Sequence, residues 1–360
     1  MNIVYGVSGE GLGHVFEARE VAALLRRDGH AVKILTYGDR ACRSLAEFQP
    51  TRIGGIEMFF TARGLSLNRT FWGNLRTFRF YLGGGRRRVM REIADFQPDV
   101  FITAYEPFTT LAAHRFHRPL ISMDNQNELR HLPRPRGADP FAFHLARIAT
   151  RIVTWGAAAY IVKTFDRRPR GDAREHLVSP IIQNEIRTLR PSLGDHVLVY
   201  LTKPNPRLLE VLKTLGERFV VYCQNRVGEE ANLVFRAQGP SYPRNLGDCK
   251  AIIGTTGFSL IADSIYLKKP YFGVPLKKQF EQTHNAHFLR DSGLGEFSEN
   301  PSRADLEGFL GRLPVYRERL AGFDLDPAEQ ENTLRAILER MGRERGAGLA
   351  PETTATSPGI

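Results

Sequence analysis

Cysteine is scarce in this chain. Three residues, Cys42, Cys223 and Cys249, stand far apart among 360 and show no C-x-x-C spacing. That excludes a disulfide framework or a thiolate zinc site and leaves small hydrophobes suited to an interior. No apolar run reaches the roughly 18 residues that a membrane-spanning helix needs. No cationic leader with an apolar stretch precedes the first strand-like segment. The expectation is a soluble, cytoplasmic protein. Compositional bias is lacking before the last residues: 42% of the chain is hydrophobic and 25% charged, which excludes disorder as its dominant state. Acidic residues are in deficit, 39 against 50 Lys and Arg, giving a formal net charge of +11 and a pI near 9.8. Such a balance favours an anionic partner, whether nucleotide, phosphate-bearing substrate, nucleic acid or acidic lipid surface.

A length of 360 residues exceeds what one core usually serves, so two domains of roughly 150 to 200 residues are expected. Short β-rich runs, NIVYGV, AVKILTY, DVFITA, PLISM and AAYIVKT, alternate with amphipathic stretches such as FEAREVAALLRR. This is the rhythm of βα units and a parallel sheet. Residues 181–195, IIQNEIRTLRPSLGD, lose the apolar period and read as a linker. The rhythm restarts in HVLVYLT, RFVVYCQ, KAIIGTT and PYFGVP. The expected fold class is α/β: two tandem Rossmann-like, doubly wound domains facing across a cleft. Residues 1–180 form the first and 196–342 the second, with the last helices able to pack back on the first. Residues 343–360, which include GAGLAPETTATSPGI, are expected to be a disordered tail.

Between Arg52 and Arg91, basic residues interleave with Phe59, Phe60, Phe71, Trp72, Phe78, Phe80 and Tyr81. One reading is an interfacial contact with an anionic membrane, Arg86, Arg87 and Arg88 meeting lipid phosphates. The other is a solvated helix whose aromatic face packs on its own domain.

Ligands of doubly wound sheets sit at the carboxyl ends of strands, which directs attention to two loops. In the first, Gly6, Gly9, Gly11 and Gly13 follow the opening strand and His14 begins the next helix. Glycines let backbone amides approach an anion at a helix N-terminus. The dinucleotide fingerprint G-x-G-x-x-G fails, because its third glycine falls on His14. Imidazole there suits a base or hydrogen-bond donor near neutral pH, and equally a helix cap without chemistry.

In the second loop, Gly254, Thr255, Thr256 and Gly257 turn from a strand into a helix opened by Phe258. They can present amides and two hydroxyls to a diphosphate at the positive helix end. Asp263, six residues after Gly257, suits a ribose diol. Gln282 and Asn285, three apart at the start of a further helix, share a face that could grip sugar hydroxyls.

These segments resemble the donor-binding domain of GT-B glycosyltransferases, in particular the MurG-like type. The resemblance is carried by Gly257, Asp263, Lys269-Pro270, Val274-Pro275 and Gln282-Thr283-His284-Asn285-Ala286, and by GEGLGH, which is similar to the family's acceptor-side glycine loop and contributes Gly11 and Gly13. It implies an inverting, metal-independent transferase without a cofactor. The sugar would move from a nucleotide diphosphate, UDP-N-acetylglucosamine being the model donor, to a hydroxyl of a glycan, glycolipid or small molecule. Donor contacts would come from Thr202, Lys203, Thr255, Thr256, Gly257, Phe258, Asp263, Glu281, Gln282 and Asn285. His14 would be the base.

The chain departs from the pattern where LTKPNP replaces a Gly-Ser-rich turn and where Asp263 replaces a frequent Glu. Glu106, ending the run DVFITA, is the rival base or else a helix-start carboxylate held by the macrodipole. Asp124 and Gln126, after the next strand, line the acceptor pocket or form a plain turn. No metal-binding D-x-D motif stands at a strand end; FDLDP has the spacing alone. Two other classes stay open. One is a sugar-nucleotide 2-epimerase of the same layout, and the other a non-catalytic binder of nucleotide-sugar or nucleic acid. Nucleic acid is disfavoured by the lack of an RNP, KH or zinc motif. Attachment at the inner face of a membrane is compatible with the basic charge.

Overall fold

The computed structural model describes residues 1–9, 12–55, 60–61, 64–65, 72, 77, 80–81, 83–134, 140–168, 171–276 and 279–348. Its strands are β1 (Asn2–Val7), β2 (Ala31–Thr36), β3 (Thr51–Arg52), β4 (Phe60–Thr61), β5 (Gly64–Leu65), β6 (Val100–Ala104), β7 (Leu120–Met123), β8 (Ala159–Lys163) and β9 (Glu175–Val178), then β10 (His196–Leu201), β11 (Arg218–Cys223), β12 (Gly228–Glu230), β13 (Leu233–Phe235), β14 (Ala251–Gly254), β15 (Tyr271–Gly273) and β16 (Gly295–Phe297). The helices are α1 (Leu12–Arg27), α2 (Asp39–Ser44), α3 (Gly84–Phe96), α4 (Pro107–Arg115), α5 (Pro140–Val153), α6 (Asn184–Arg187), α7 (Pro206–Lys213), α8 (Ser241–Asp248), α9 (Phe258–Tyr266), α10 (Phe280–Asp291), α11 (Arg303–Gly311), α12 (Leu313–Ala321) and α13 (Glu329–Gly348).

Two seven-stranded sheets result. The first runs β3-β2-β1-β6-β7-β8-β9, parallel throughout, and β4 and β5 pair separately. The second runs β12-β13-β11-β10-β14-β15-β16, with β12 antiparallel. Near-continuous apolar strands require helices on both faces. In α1, Val15, Ala18, Val21, Ala22 and Leu25 recur at helical spacing and enter the first core beside Ile3, Tyr5 and Ile102. In the second sheet Val197, Val199 and Phe219 face α11 residues Leu306 and Phe309. Their neighbours Leu198, Tyr222 and Ile252 face α9 and α10. Strand order reverses between β1 and β6 and between β10 and β14, and these are the positions where such sheets open crevices.

The two halves are tied more closely than a linker implies. Ile182 and Ile186 are buried against the second core. The chain then returns: Leu334, Ile337, Leu338 and Met341 of α13 complete the first core. The tail expected from residue 343 is corrected, because α13 stays helical to Gly348 and Arg345 pairs with Asp99. Residues 349–360 lie outside the described residues.

Candidate active site

Both switch-point loops end in helix N-termini that face each other. After β14, the Thr255 amide donates to the Tyr200 carbonyl (3.1 Å) and that of Gly257 to Thr255 (2.8 Å). Gly257 then N-caps α9 with no side-chain cap, so the first-turn amides have no capping oxygen. A Cβ at Gly257 would meet nothing within 4 Å, whereas one at Gly13 would lie 3.2 Å from Ser259 Oγ. The start of α1 therefore abuts the first turn of α9. Two positive helix ends in contact are mutually unfavourable unless an anion shares them. Thr202 Oγ1 lies 2.9 Å from Thr255 Oγ1, with exposed Lys203 next to it at the end of β10.

Beside this junction His14 Nδ1 stands 3.4 Å from Oδ2 of the fully buried Asp124. The distance is that of an ion pair, while hydrogen-bond alignment is incomplete at both atoms. Asp124 is fixed from behind by the Gln126 amide, which donates to its Oδ1 (2.9 Å) at the start of the 3-10 helix Asn125–Arg130. From the second domain Glu281 enters the same cluster and accepts a hydrogen bond from Asn125 Nδ2 at 3.0 Å. Burial raises its pKa, partly opposed by His14. Deeper in, Lys163 pairs with Glu17, which also accepts from Gln330 Nε2 of α13 at 2.7 Å. Burial disfavours the Lys163 charge, yet Glu17 and Asp124 hold its pKa above the ordinary value.

The remaining residues singled out from the sequence have other surroundings. Glu106 is N-cap of α4: its oxygens accept from the Phe108 amide (2.8 Å), the Thr109 amide (2.7 Å) and Thr109 Oγ1 (2.6 Å). It is wholly buried, and burial pushes its pKa up to about 7. Tyr105 before it has left-handed backbone (φ 55°). Glu106 is thus the helix-start carboxylate of the sequence reading, held by the first-turn amides of α4. Gln282 and Asn285 are also buried, and their amides hold loops. Gln282 Oε1 accepts from the Leu276 amide (3.0 Å), and Asn285 Nδ2 donates to the Thr256 carbonyl (3.0 Å). Thr256 Oγ1 donates to the Gln282 carbonyl (2.7 Å). Phe258 packs on Phe165, ring centroids 4.6 Å apart. Asp263 is buried in α9 with no side-chain partner among the described residues, and burial pushes its pKa up to about 7. Gly11 and Phe59, Phe71 and Phe78 lie outside the described residues; Arg86, Arg87 and Arg88 are exposed on α3.

The sequence reading missed the pairing of Asp124 with His14 and the Glu17–Lys163–Gln330 group. Two signals were available: Glu17 lies three residues after His14 on one helix face, and Lys163 is a charge ending an apolar strand. Elsewhere, His131, Asp172 and Glu175 bring ligand-type atoms within 4.8 Å of one another. His131 already pairs with Glu175, and Arg130 and Arg174 with Asp172, so ion pairs account for that group.

Two doubly wound domains with their switch points opposed are the architecture of GT-B glycosyltransferases. The family model described as "Glycosyl transferase family 1" matches residues 1–314, and the chain belongs to that family. An uncharacterized glycosyltransferase of Methanosarcina mazei is 30% identical over 141 residues, 38% of this chain and 36% of that relative. The match thus spans about a third of the curated relative's length. Among solved structures, the glycotransferase of kitacinnamycin superposes with a TM-score of 0.65 at 17% identity, covering 94% of this chain and 98% of its own. MurG of Acinetobacter baumannii gives 0.59 at 16% identity, covering 94% and 99%. The glycosyltransferase VinC, solved in complex with DTDP, gives 0.62 at 13% identity, covering 95% and 100%. Family and fold together place the chain among the glycosyl transferases.

Proposed function

We propose that the protein moves a sugar from a nucleotide diphosphate donor to an acceptor hydroxyl, and that transfer is inverting and metal-independent, with His14 as the base and Asp124 as the group that orients it. The observation that carries this reading is the His14–Asp124 pair standing beside two opposed, anion-seeking helix starts. With the acceptor bound, Nδ1–H turns onto Asp124 Oδ2 and the Nε2 lone pair takes the acceptor hydroxyl's proton. The acceptor oxygen attacks the anomeric carbon while the bond to the diphosphate oxygen breaks, its electron pair leaving with the phosphate. Amides at the start of α9, with Thr202, Thr255 and Lys203, stabilise that departing charge. Glu281 faces the imidazolium formed at His14 and favours it electrostatically. The buried Asp263 carboxylate receives the ribose diol. The donor to test first is UDP-N-acetylglucosamine, with dTDP-sugars beside it because VinC was solved with DTDP.

A thermal-shift panel of UDP, GDP, dTDP and their sugars identifies the donor through stabilisation by mass action. With that donor, His14→Ala and Asp124→Asn are expected to lower kcat by about 100- to 10,000-fold while calorimetric donor affinity is retained. Chelator is expected to leave turnover unchanged. Undiminished turnover in His14→Ala overturns the assignment.

A further inference from the structure

We propose that the outer face of α5 and α4 is a docking surface for an anionic lipid bilayer. On α5 and the turn that follows, Phe141, Leu145, Ile148, Ile152 and Trp155 recur at steps of four, three, four and three, a single stripe along one helix side. The opposite side, Phe143 and Thr150, is buried. The stripe points outward: Phe141 is 77% exposed, Ile152 65% and Trp155 68%, with Leu145 and Ile148 about half exposed. Exposed Leu111 on α4 widens it, and His114 joins the two elements, its ring 4.5 Å from that of Trp155. A contiguous exposed stripe of this size marks a contact site rather than scattered surface apolars.

The charge around the stripe selects the occupant. Residues 107–118 and 140–156 contain Arg115, Arg118, Arg147, Arg151, His114, His117 and His144, and no Asp or Glu. Arg115, Arg118 and Arg151 are exposed. Apolar side chains, a tryptophan at one end and arginines alongside are what an interfacial helix requires: rings at headgroup depth, guanidinium groups on lipid phosphates. A second copy docking through the same face would set these arginines against themselves in a two-fold contact. No described helix is long and apolar enough to cross a membrane, so the contact is lateral. The face also lies close to the chemistry. α5 packs on the 3-10 helix that bears Asn125, Arg147 donates to the Arg130 carbonyl at 2.8 Å, and Phe143 meets Phe280 across the domains at 4.9 Å. This surface is distinct from Arg86–Arg88, which one of the two sequence readings assigned to a membrane.

Co-sedimentation of the full chain with vesicles of phosphatidylcholine, or of equal parts phosphatidylcholine and phosphatidylglycerol, tests the proposal without any sugar transfer. Binding to the anionic vesicles alone is expected, weakening with salt, and accompanied by a blue shift of tryptophan fluorescence that Trp155→Phe abolishes while Trp72 remains. Replacing Arg115, Arg118 and Arg151 by Ser is expected to lower partitioning about 100-fold, roughly fivefold for each cation. Phe141→Ser with Ile152→Ser should abolish it, with unchanged circular dichroism and nucleotide-induced thermal shift showing the fold intact. Wild type that ignores anionic vesicles overturns the proposal. So do folded stripe variants that bind as wild type does, or self-association that those variants abolish in the absence of lipid.

Discussion

At the scale of single residues, Asp263 shows how a binding role opposes stability. Among the described residues its carboxyl is buried without a cation or hydrogen-bond donor, and burial raises its pKa from 3.8 to about 7. Between those values the folded chain binds more protons at this site than the unfolded chain does. Its contribution to stability therefore falls as pH rises through that window. Asp263→Asn removes the penalty: the variant should melt higher than wild type at pH near 8 and show no such gain near pH 4. If the carboxylate holds the ribose, the same change should weaken nucleotide binding by about 1 to 3 kcal/mol. Melting curves with and without UDP or dTDP at both pH values measure the two effects together. A variant that gains nothing at high pH, or keeps the full nucleotide shift, contradicts the assignment. The position of Asp263 after Gly257 was legible in the sequence. Its isolation was not, because that depends on Tyr242 and other side chains packed from distant segments.

At the scale of elements, α10 marks where sequence reading stops. The spacing of Gln282 and Asn285 correctly gives them a common face, but periodicity does not say what the face meets. It meets the β14–α9 loop, where the Thr256 carbonyl takes the Asn285 amide and the Gln282 carbonyl takes the Thr256 hydroxyl. The apolar alternation of the strands and the glycine turn at Gly257 were legible because local chain chemistry dictates them. Glu106 and Asp124, each ending a strand, looked alike in the sequence. What separates them is that Glu106 bends into its own helix cap while Asp124 meets a histidine from another element. Asn285→Ala should leave the Thr256 carbonyl unpaired, cost about 1 to 3 kcal/mol and raise KM for the donor by loosening the start of α9. Asn285→Asp should do no better, since the position needs a donor, whereas a residue that only grips sugar hydroxyls would tolerate the carboxylate. Thermal melts and donor titrations of both variants distinguish these outcomes.

At the scale of the whole molecule, the two domains are joined at several places, among them the buried stretch around Ile182 and Ile186, Asn125 with Glu281, and α13. The last is the least local. α13 follows the second domain, yet its apolar side completes the first core and its Gln330 reaches Glu17 on α1, the helix that carries His14. Glu17 in turn neutralises Lys163, whose field reaches Asp124 and Glu281. Removing one member of a buried charge pair costs about 3 to 5 kcal/mol, so Glu17→Ala should be severe and mostly structural. Gln330→Leu keeps the volume and the charges and removes one hydrogen bond, which isolates the tether. It should lower the melting temperature modestly and reduce kcat more than donor affinity, because α1 loses a restraint that positions His14. A double-mutant cycle of Gln330→Leu with Glu17→Gln, read in both stability and kcat, should give a coupling energy of about 0.5 to 3 kcal/mol. Additive effects would mean that α13 merely fills the core, and that the return of the chain across the molecule has no bearing on the site.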